Sequence, residues 1–305
     1  MLQIFCRNIS INKPELLKSN GPLLIALNHP NSFLDAIIIA TLFKQPVYSL
    51  ARGDVFKNRF ISKLLNSLNI FPVYRMSEGA ENLSQNYTTF DECKKIFKNN
   101  GIVLIFSEGK CINEWHLRPL KKGTARLALN AWKENIPLKI LPGGINYNSF
   151  SRFGKNVKLN FGEFICKENI EFHNEEGRNI SLFNCRLKNE LQQLVIEVDK
   201  NDKERINQIF SITQPKIKKI LLFIPFVFGW ILHAPIYYPI KKIAWNKTSH
   251  NDHFDSILLC SLVFVYPFYL LATGLLLFWI MGGWWWLGVF LILPFCAWSC
   301  TQLKS

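Results

Sequence analysis

The sequence predicts an α/β domain built on a mostly parallel sheet flanked by helices, followed by a C-terminal α-helical membrane region. Two observations carry this. Short apolar runs bounded by Gly, Pro and polar turns alternate with longer helical stretches between Ile9 and Ile145, the pattern of strands joined by crossover helices. Charge then disappears. Of 36 basic and 22 acidic residues, only four Lys and two Asp lie from Ile220 onward, and Ser256 to Cys300 runs for 45 residues without Lys, Arg, Asp or Glu. The predicted boundaries are a globular domain over 1–200, a basic linker over 201–219 and a membrane region over 220–305.

Taken in order, Ile9 to Ile11 reads as a first strand, and Lys13-Pro14-Glu15 as a turn. Pro22 to Leu27 is an apolar run that reads as a buried strand, ending at Asn28-His29-Pro30, and Ile37 to Ala40 continues as an apolar helix face. Pro46 to Arg52 is a further strand, Ile61 to Leu68 a helix, Ile70 to Arg75 an extended segment, and Asn82 to Asn99 a long polar helix closed by Gly101. Ile102 to Phe106 is the most hydrophobic short strand of this part and leads into Ser107-Glu108-Gly109-Lys110. Thr124 to Asn135 reads as a helix, and Leu138 to Ile145 as a strand running into a loop.

The first 219 residues hold +12 of the +14 net charge. A basic globular part joined to an apolar tail points to an anionic membrane surface, where each basic group contributes ~1 kcal/mol. Nucleic acid is not the expected partner, because no helix-turn-helix pattern, zinc spacing or aromatic ribonucleoprotein signature is present. The eight cysteines include no Cys-x-x-Cys pair, so neither a metal site nor a disulfide framework is expected and reduced thiols are the simplest reading. Met1 to Lys13 is too polar for a signal peptide, which places membrane attachment at the other end.

In parallel sheets, ligands bind at the carboxyl ends of the strands. Four predicted strands end in reactive or charged groups: His29, Arg52, Arg75, and Glu108 with Lys110. A shared site explains four such ends better than four unrelated polar loops. His29 and Asp35, six residues apart at a strand-to-helix junction, have the makings of an imidazole base and the carboxylate that fixes its tautomer. Ser32 and Asp35 also have the spacing of a capping box, so Asp35 reads either as the partner of His29 or as a helix cap.

These residues resemble the PlsC-type glycerolipid acyltransferase superfamily, the glycerol-3-phosphate and lysophosphatidate acyltransferases. Four ordered blocks between Leu23 and Tyr147 carry the resemblance. Asn28, His29 and Asp35 resemble the Asn-His-x-x-x-x-Asp block. Phe71-Pro72-Val73-Tyr74-Arg75 is similar to the block whose Arg contacts the acceptor phosphate. Phe106-Ser107-Glu108-Gly109-Lys110 resembles Phe-Pro-Glu-Gly-Thr, with Leu120-Lys121-Lys122-Gly123 similar to the Phe-Lys-Lys-Gly that follows it. Ile140 to Ile145, around Pro142, is similar to the fourth block. Two departures stand out. Five residues separate His29 from Asp35 where the usual pattern has four, a spacing that resembles the branch of eukaryotic membrane glycerol-phosphate and dihydroxyacetone-phosphate acyltransferases, and Ser107 and Lys110 replace Pro and Thr.

The resemblance implies a glycerol-3-phosphate acyltransferase-like fold over 1–200 and transfer of a fatty acyl group from acyl-CoA or acyl-carrier protein to 1-acyl-glycerol 3-phosphate, giving phosphatidic acid in phospholipid biosynthesis. Glycerol 3-phosphate and a lyso-aminolipid are alternative acceptors. A non-catalytic lipid-binding protein with this fold is the alternative of another class. His29 and Asp35 are the implied catalytic pair, with backbone N–H groups at the start of the following helix expected to stabilise the oxyanion. Arg52, Arg75, Glu108, Gly109, Lys110, Lys121, Lys122 and Pro142 are the implied substrate-binding residues: Arg75 with Lys121 or Lys122 for the phosphate, Glu108 and Gly109 for the glycerol end. No metal and no bound cofactor are implied, the acyl donor being a co-substrate.

Ser256–Ile280 exceeds the ~20 residues needed to span a bilayer, and Trp284–Cys300 lies at the low end of that range. Met281-Gly282-Gly283 and the three tryptophans after it read as the tip of a transmembrane hairpin over 256–300. Pro225, Pro235 and Pro239 predict a broken, re-entrant or interfacial segment over 220–240. Lys241, Lys242, Lys247 and Lys304 then place the globular domain on the cytoplasmic side of the membrane, the inner membrane if the source is bacterial.

Overall fold

Leu23–Leu27 forms a strand in which every residue is buried, because both of its faces are covered. Leu23, Ile25 and Leu27 join the core on one side of the sheet, and Leu24 and Ala26 join the core on the other, the period-2 alternation of a strand. A strand covered on both faces reads as a continuous apolar run. The computed structural model describes residues 2–73, 83–248 and 252–303. Its elements are α1 (Leu2–Phe5), β1 (Cys6–Ile11), β2 (Leu23–Leu27), α2 (Phe33–Leu42), β3 (Val47–Arg52), α3 (Arg59–Ser67), β4 (Ile70–Val73), α4 (Leu83–Lys98), β5 (Ile102–Phe106), α5 (Lys122–Lys133), β6 (Lys139–Tyr147), β7 (Lys155–Phe161), α6 (Glu176–Leu194), α7 (Lys203–Phe210), α8 (Lys216–Thr248), α9 (Phe254–Met281) and α10 (Val289–Leu303).

The seven strands form one sheet in the order β1-β7-β6-β2-β5-β3-β4. Five of them, β2 to β6, run the same way; β7 pairs antiparallel with β6, and β1 parallel with β7. The sheet is therefore mixed, with two reversed strands on one side. The short connection between Tyr147 and Lys155 allows that reversal, since an antiparallel neighbour needs no helical crossover. The carboxyl ends of β2, β3, β4, β5 and β6 all lie along one edge, and the amino ends of β1 and β7 meet them there.

One face of the sheet is covered by α4, α5 and α6, through Phe97, Leu127, Trp132, Phe183 and Leu187. The other is covered by α2 together with the apolar C-terminal helices. Leu34, Ile38 and Ile39 of α2 share a core with Ile236, Ile240 and Ala244 of α8 and Leu258 and Leu259 of α9. The region expected as a linker contains α7, whose Ile206 and Phe210 are buried and which packs on β7, and α8 begins within it at Lys216.

Among the described residues, three helical stretches are long and apolar enough to cross a membrane: Lys216–Thr248, Phe254–Met281 and Trp284–Leu303. α8 continues through Pro225, Pro235 and Pro239, where the prolines predict a break. Neighbouring helices supply donors to its carbonyls: the Tyr269 hydroxyl donates to Leu232 O, and the Cys300 thiol to Phe226 O at 3.3 Å. α9 and α10 form a hairpin about Gly282 and Gly283, both at positive φ. Both of its ends return to the globular domain: Asn31 Nδ2 donates to Asp255, and Gln302 Nε2 donates to Arg7 O at 3.2 Å.

Candidate active site

β2 ends at Leu27, and His29 follows two residues later at the sheet edge. Asn28 locks that end in place: its Oδ1 accepts from Ile145 N at 2.8 Å and its Nδ2 donates to Ile145 O at 3.1 Å, tying β2 to β6. The His29 ring stacks on Phe106 of β5, with centroids 3.9 Å apart and planes 13° apart. Its Nδ1 lies 2.9 Å from Asp35 Oδ2. With Nδ1 committed to a carboxylate, Nε2 is the nitrogen left to take a proton. The ring is 18% exposed while Asp35 is fully buried, so the pair has a wet end and a dry end.

Asp35 accepts three hydrogen bonds. Besides His29, its Oδ2 accepts from Asn31 N at 2.8 Å, and its Oδ1 accepts from the Tyr147 hydroxyl at 2.6 Å. The capping box does not form. Ser32 has φ of 51° and its Oγ lies 2.8 Å from His253 Nδ1, while Asp35 reaches back one residue further, to Asn31. Asp35 thus orients His29 and secures the start of α2 together. Burial, reinforced by the Asp35 charge, pushes the Tyr147 phenol well above its ordinary pKa, which keeps it a donor.

Glu108 is buried, and each of its oxygens accepts a backbone N–H: Oε2 from His29 at 2.8 Å and Oε1 from Arg118 at 2.8 Å. Burial raises its carboxyl pKa, and those two N–H groups oppose the rise. Glu108 therefore braces the backbone of His29 against the loop that follows β5. Gly109 sits at φ of +65°, and a β-carbon there would come within 2.9 Å of Lys121 Cγ, so glycine serves both the turn and the approach of Lys121. Ser107, in place of the usual proline, accepts from the Thr124 hydroxyl at 3.0 Å and, through its carbonyl, from Lys121 N at 2.8 Å.

Residues 8–146 match the family model described as Acyltransferase. No curated protein matches the chain. Among solved structures the chain is similar to the 1-acyl-sn-glycerophosphate (LPA) acyltransferase PlsC from Thermotoga maritima, at 12% identity and a TM-score of 0.45, over 70% of this chain and 76% of that one.

Within the matched stretch the structure brings His29, Asp35, Glu108 and Gly109 together, with Lys121 against Gly109. Arg52 ends β3, two strands from β2 and roughly 10 Å away at the usual strand spacing; it is about half exposed, and its Nε donates to Asp54 Oδ1 at 3.0 Å. Lys110, Lys121 and Lys122 are exposed. Pro142 lies inside the sheet, buried, in register with Ala26, and its carbonyl accepts from Gly162 N at 2.9 Å. Arg75 lies outside the described residues.

The N–H groups leading into α2, where oxyanion donors are expected, are already engaged. Asn31 N donates to Asp35, Ser32 N to Cys111 Sγ at 2.9 Å and Phe33 N to Ser256 Oγ at 3.1 Å. They hold the loop in shape, with protein atoms as their acceptors. Residues that the sequence did not single out include Tyr147, Asn31, Cys111, His253 and Asp255. Tyr147 carries a usable signal, a tyrosine closing the strand beside β2, which is lost when that strand is ended at Ile145.

Proposed function

We propose that this acyltransferase moves a fatty acyl group from a thioester, acyl-CoA or acyl-carrier protein, to the free hydroxyl of 1-acyl-glycerol 3-phosphate, giving phosphatidic acid. The observation that carries the reading is the His29–Asp35 pair at the sheet edge, its carboxylate buried under Tyr147 and Asn31 and its imidazole partly open. His29 Nε2 takes the hydroxyl proton, the oxygen attacks the thioester carbonyl, and the C–S bond of the tetrahedral intermediate breaks. The imidazolium then returns its proton to the departing thiolate. Asp35 holds the tautomer and stabilises the imidazolium. No covalent enzyme intermediate is required.

Arg75, with Lys121 or Lys122, is the proposed clamp on the acceptor phosphate, Arg being favoured for its bidentate geometry. Arg52 and Lys110 complete the proposed substrate-binding set, Pro142 serving it only from within the sheet, where it is buried beside β2, and Glu108 and Gly109 serve the glycerol end, Glu108 also through the backbone of His29. The five-residue spacing between His29 and Asp35 favours glycerol 3-phosphate as the second reading. A proposed membrane arrangement accompanies the chemistry. α9 and α10 cross as a hairpin and α8 lies along the membrane surface, with the acyltransferase domain in the cytoplasm. Support comes from contacts at both ends of α8: Lys218 Nζ donates to Gln302 Oε1 at 2.7 Å, and Ala244 packs into the core of α2.

The test is a purified-enzyme assay with acyl-CoA and with acyl-carrier protein, each against 1-acyl-glycerol 3-phosphate, glycerol 3-phosphate and a lyso-aminolipid. Fastest transfer to 1-acyl-glycerol 3-phosphate is the expected result. Preference for another acceptor reassigns the substrate, and no transfer to any acceptor leaves a lipid-binding protein.

A further inference from the structure

Three donor–acceptor pairs join the start of an apolar helix to the loop that carries the catalytic pair. Asn31 Nδ2 donates to Asp255 Oδ2 at 2.7 Å, Phe33 N donates to Ser256 Oγ at 3.1 Å, and His253 Nδ1 lies 2.8 Å from Ser32 Oγ. Three consecutive loop residues, Asn31, Ser32 and Phe33, are thus held by three residues at the amino end of α9. The loop has little freedom left, because Ser32 N donates to Cys111 Sγ and Asn113 Nδ2 to Pro30 O at 2.7 Å.

Asp255 is a costly residue to keep for structure alone. It is fully buried, its Oδ1 has no hydrogen-bond partner among the described residues, and its Oδ2 takes both Asn31 and the fully buried Lys155 ammonium. Replacing such a buried ion pair by apolar groups of similar volume is often neutral or stabilising. Its connections give it another use. Asn31 donates through its side chain to Asp255 and through its backbone to Asp35 Oδ2, the same oxygen that faces His29 Nδ1. One amide residue therefore couples the two carboxylates.

We propose that Asp255, held by Lys155 and assisted by Ser256 and His253, positions the His29–Asp35 pair through Asn31, so that catalytic geometry depends on a helix outside the matched stretch. The proposal rests on His29 and Asp35 being the reacting pair. Asp255 and Lys155 are positioning residues; neither touches the imidazole. Because α9 is one of the three stretches long enough to cross a membrane, the same contacts join the reacting groups to the membrane region.

Two double variants of the full-length protein in phospholipid nanodiscs separate hydrogen bonding from packing. Asp255→Asn with Lys155→Met removes both charges and keeps an oxygen for Asn31 Nδ2. Asp255→Leu with Lys155→Met removes the acceptor as well. Hydrogen exchange of the segment 28–36, read by mass spectrometry, is expected to be about tenfold faster in the Leu variant and unchanged in the Asn variant, with α5 unchanged in both. With acyl-CoA and 1-acyl-glycerol 3-phosphate, kcat of the Leu variant is expected to fall by about tenfold or more at nearly constant KM, and the Asn variant to stay near wild type. Wild-type exchange and wild-type kcat in the Leu variant overturn the proposal. If α5 also exchanges faster, the decision passes to Ser256→Ala, which removes only the acceptor of Phe33 N; a loop and kcat like wild type there overturn it too. A wild type inactive on every acceptor defeats the functional reading, while exchange still decides the positioning.

Discussion

The Tyr147 hydroxyl and the Asp35 carboxylate meet at 2.6 Å in a site where neither side chain has any exposure. Tyr147 takes Oδ1 and so leaves Oδ2 to His29 and Asn31. The phenol is the donor that keeps this carboxylate satisfied and pointed in a dry place. Tyr147→Phe removes it without changing the shape of the core. The expected result is a loss of about 1.5–3 kcal/mol in unfolding free energy, the range for a hydrogen bond to a charged group, with a fall in kcat larger than any rise in KM. Denaturant unfolding and steady-state kinetics check both.

Asp35→Asn forces an amide into a pocket of three donors. Its nitrogen must face one of them, and if it faces His29 the imidazole takes the wrong tautomer. Acyl transfer is expected to fall by ~10³–10⁴-fold while the protein still folds. Unfolding without a selective loss of activity would mean that Asp35 serves only the start of α2.

His253 gives the assembly a pH dependence. Burial lowers its pKa, the Arg52 and His29 charges lower it further, and Asp252 opposes them. An imidazole with a depressed folded pKa binds fewer protons folded than unfolded, so stability is full above the ordinary imidazole value of ~6.5 and is lost as pH falls below it toward the folded value. Thermal unfolding followed from pH 8 to pH 5 is expected to show a falling Tm over that interval, and His253→Asn to flatten the fall.

How much of this was legible depended on locality. His29 and Asp35 lie six residues apart, and the chemistry of the pair is readable without knowing the fold. The strand ends at Arg52 and Glu108 were readable because apolar runs stop there, and the sheet does place them on one edge. The partners that complete the site come from far along the chain, and no local pattern announces them. Tyr147 was hidden by Gly143 and Gly144, which read as a loop. Both lie within β6, where a β-carbon would come within 2.4 Å of Leu27 Cδ2 and of Leu194 O respectively. Close packing, not a turn, requires glycine there. Pro225, Pro235 and Pro239 predict a break that does not occur: α8 runs through all three, packed along α9 and α10, and tertiary packing of this kind overrides the local rule that proline ends a helix.

The α9–α10 hairpin predicts a labelling pattern. In a chain whose native cysteines are replaced, a cysteine at Trp284, exposed at the hairpin tip, is expected to react with a membrane-impermeant maleimide in intact cells. One at Lys247, exposed near the end of α8, is expected to react only after permeabilisation. Labelling at Lys247 in intact cells would put the globular domain, into which neighbouring Ala244 packs, on the outer side.

The central claim is that His29 is the base of acyl transfer, and turnover of His29→Ala tests it most directly. The expected variant unfolds like wild type and transfers acyl groups ~10²–10⁴-fold more slowly, on whichever acceptor the wild type prefers. A folded His29→Ala protein whose turnover stays within about threefold of wild type, far short of a general base's contribution, would contradict it.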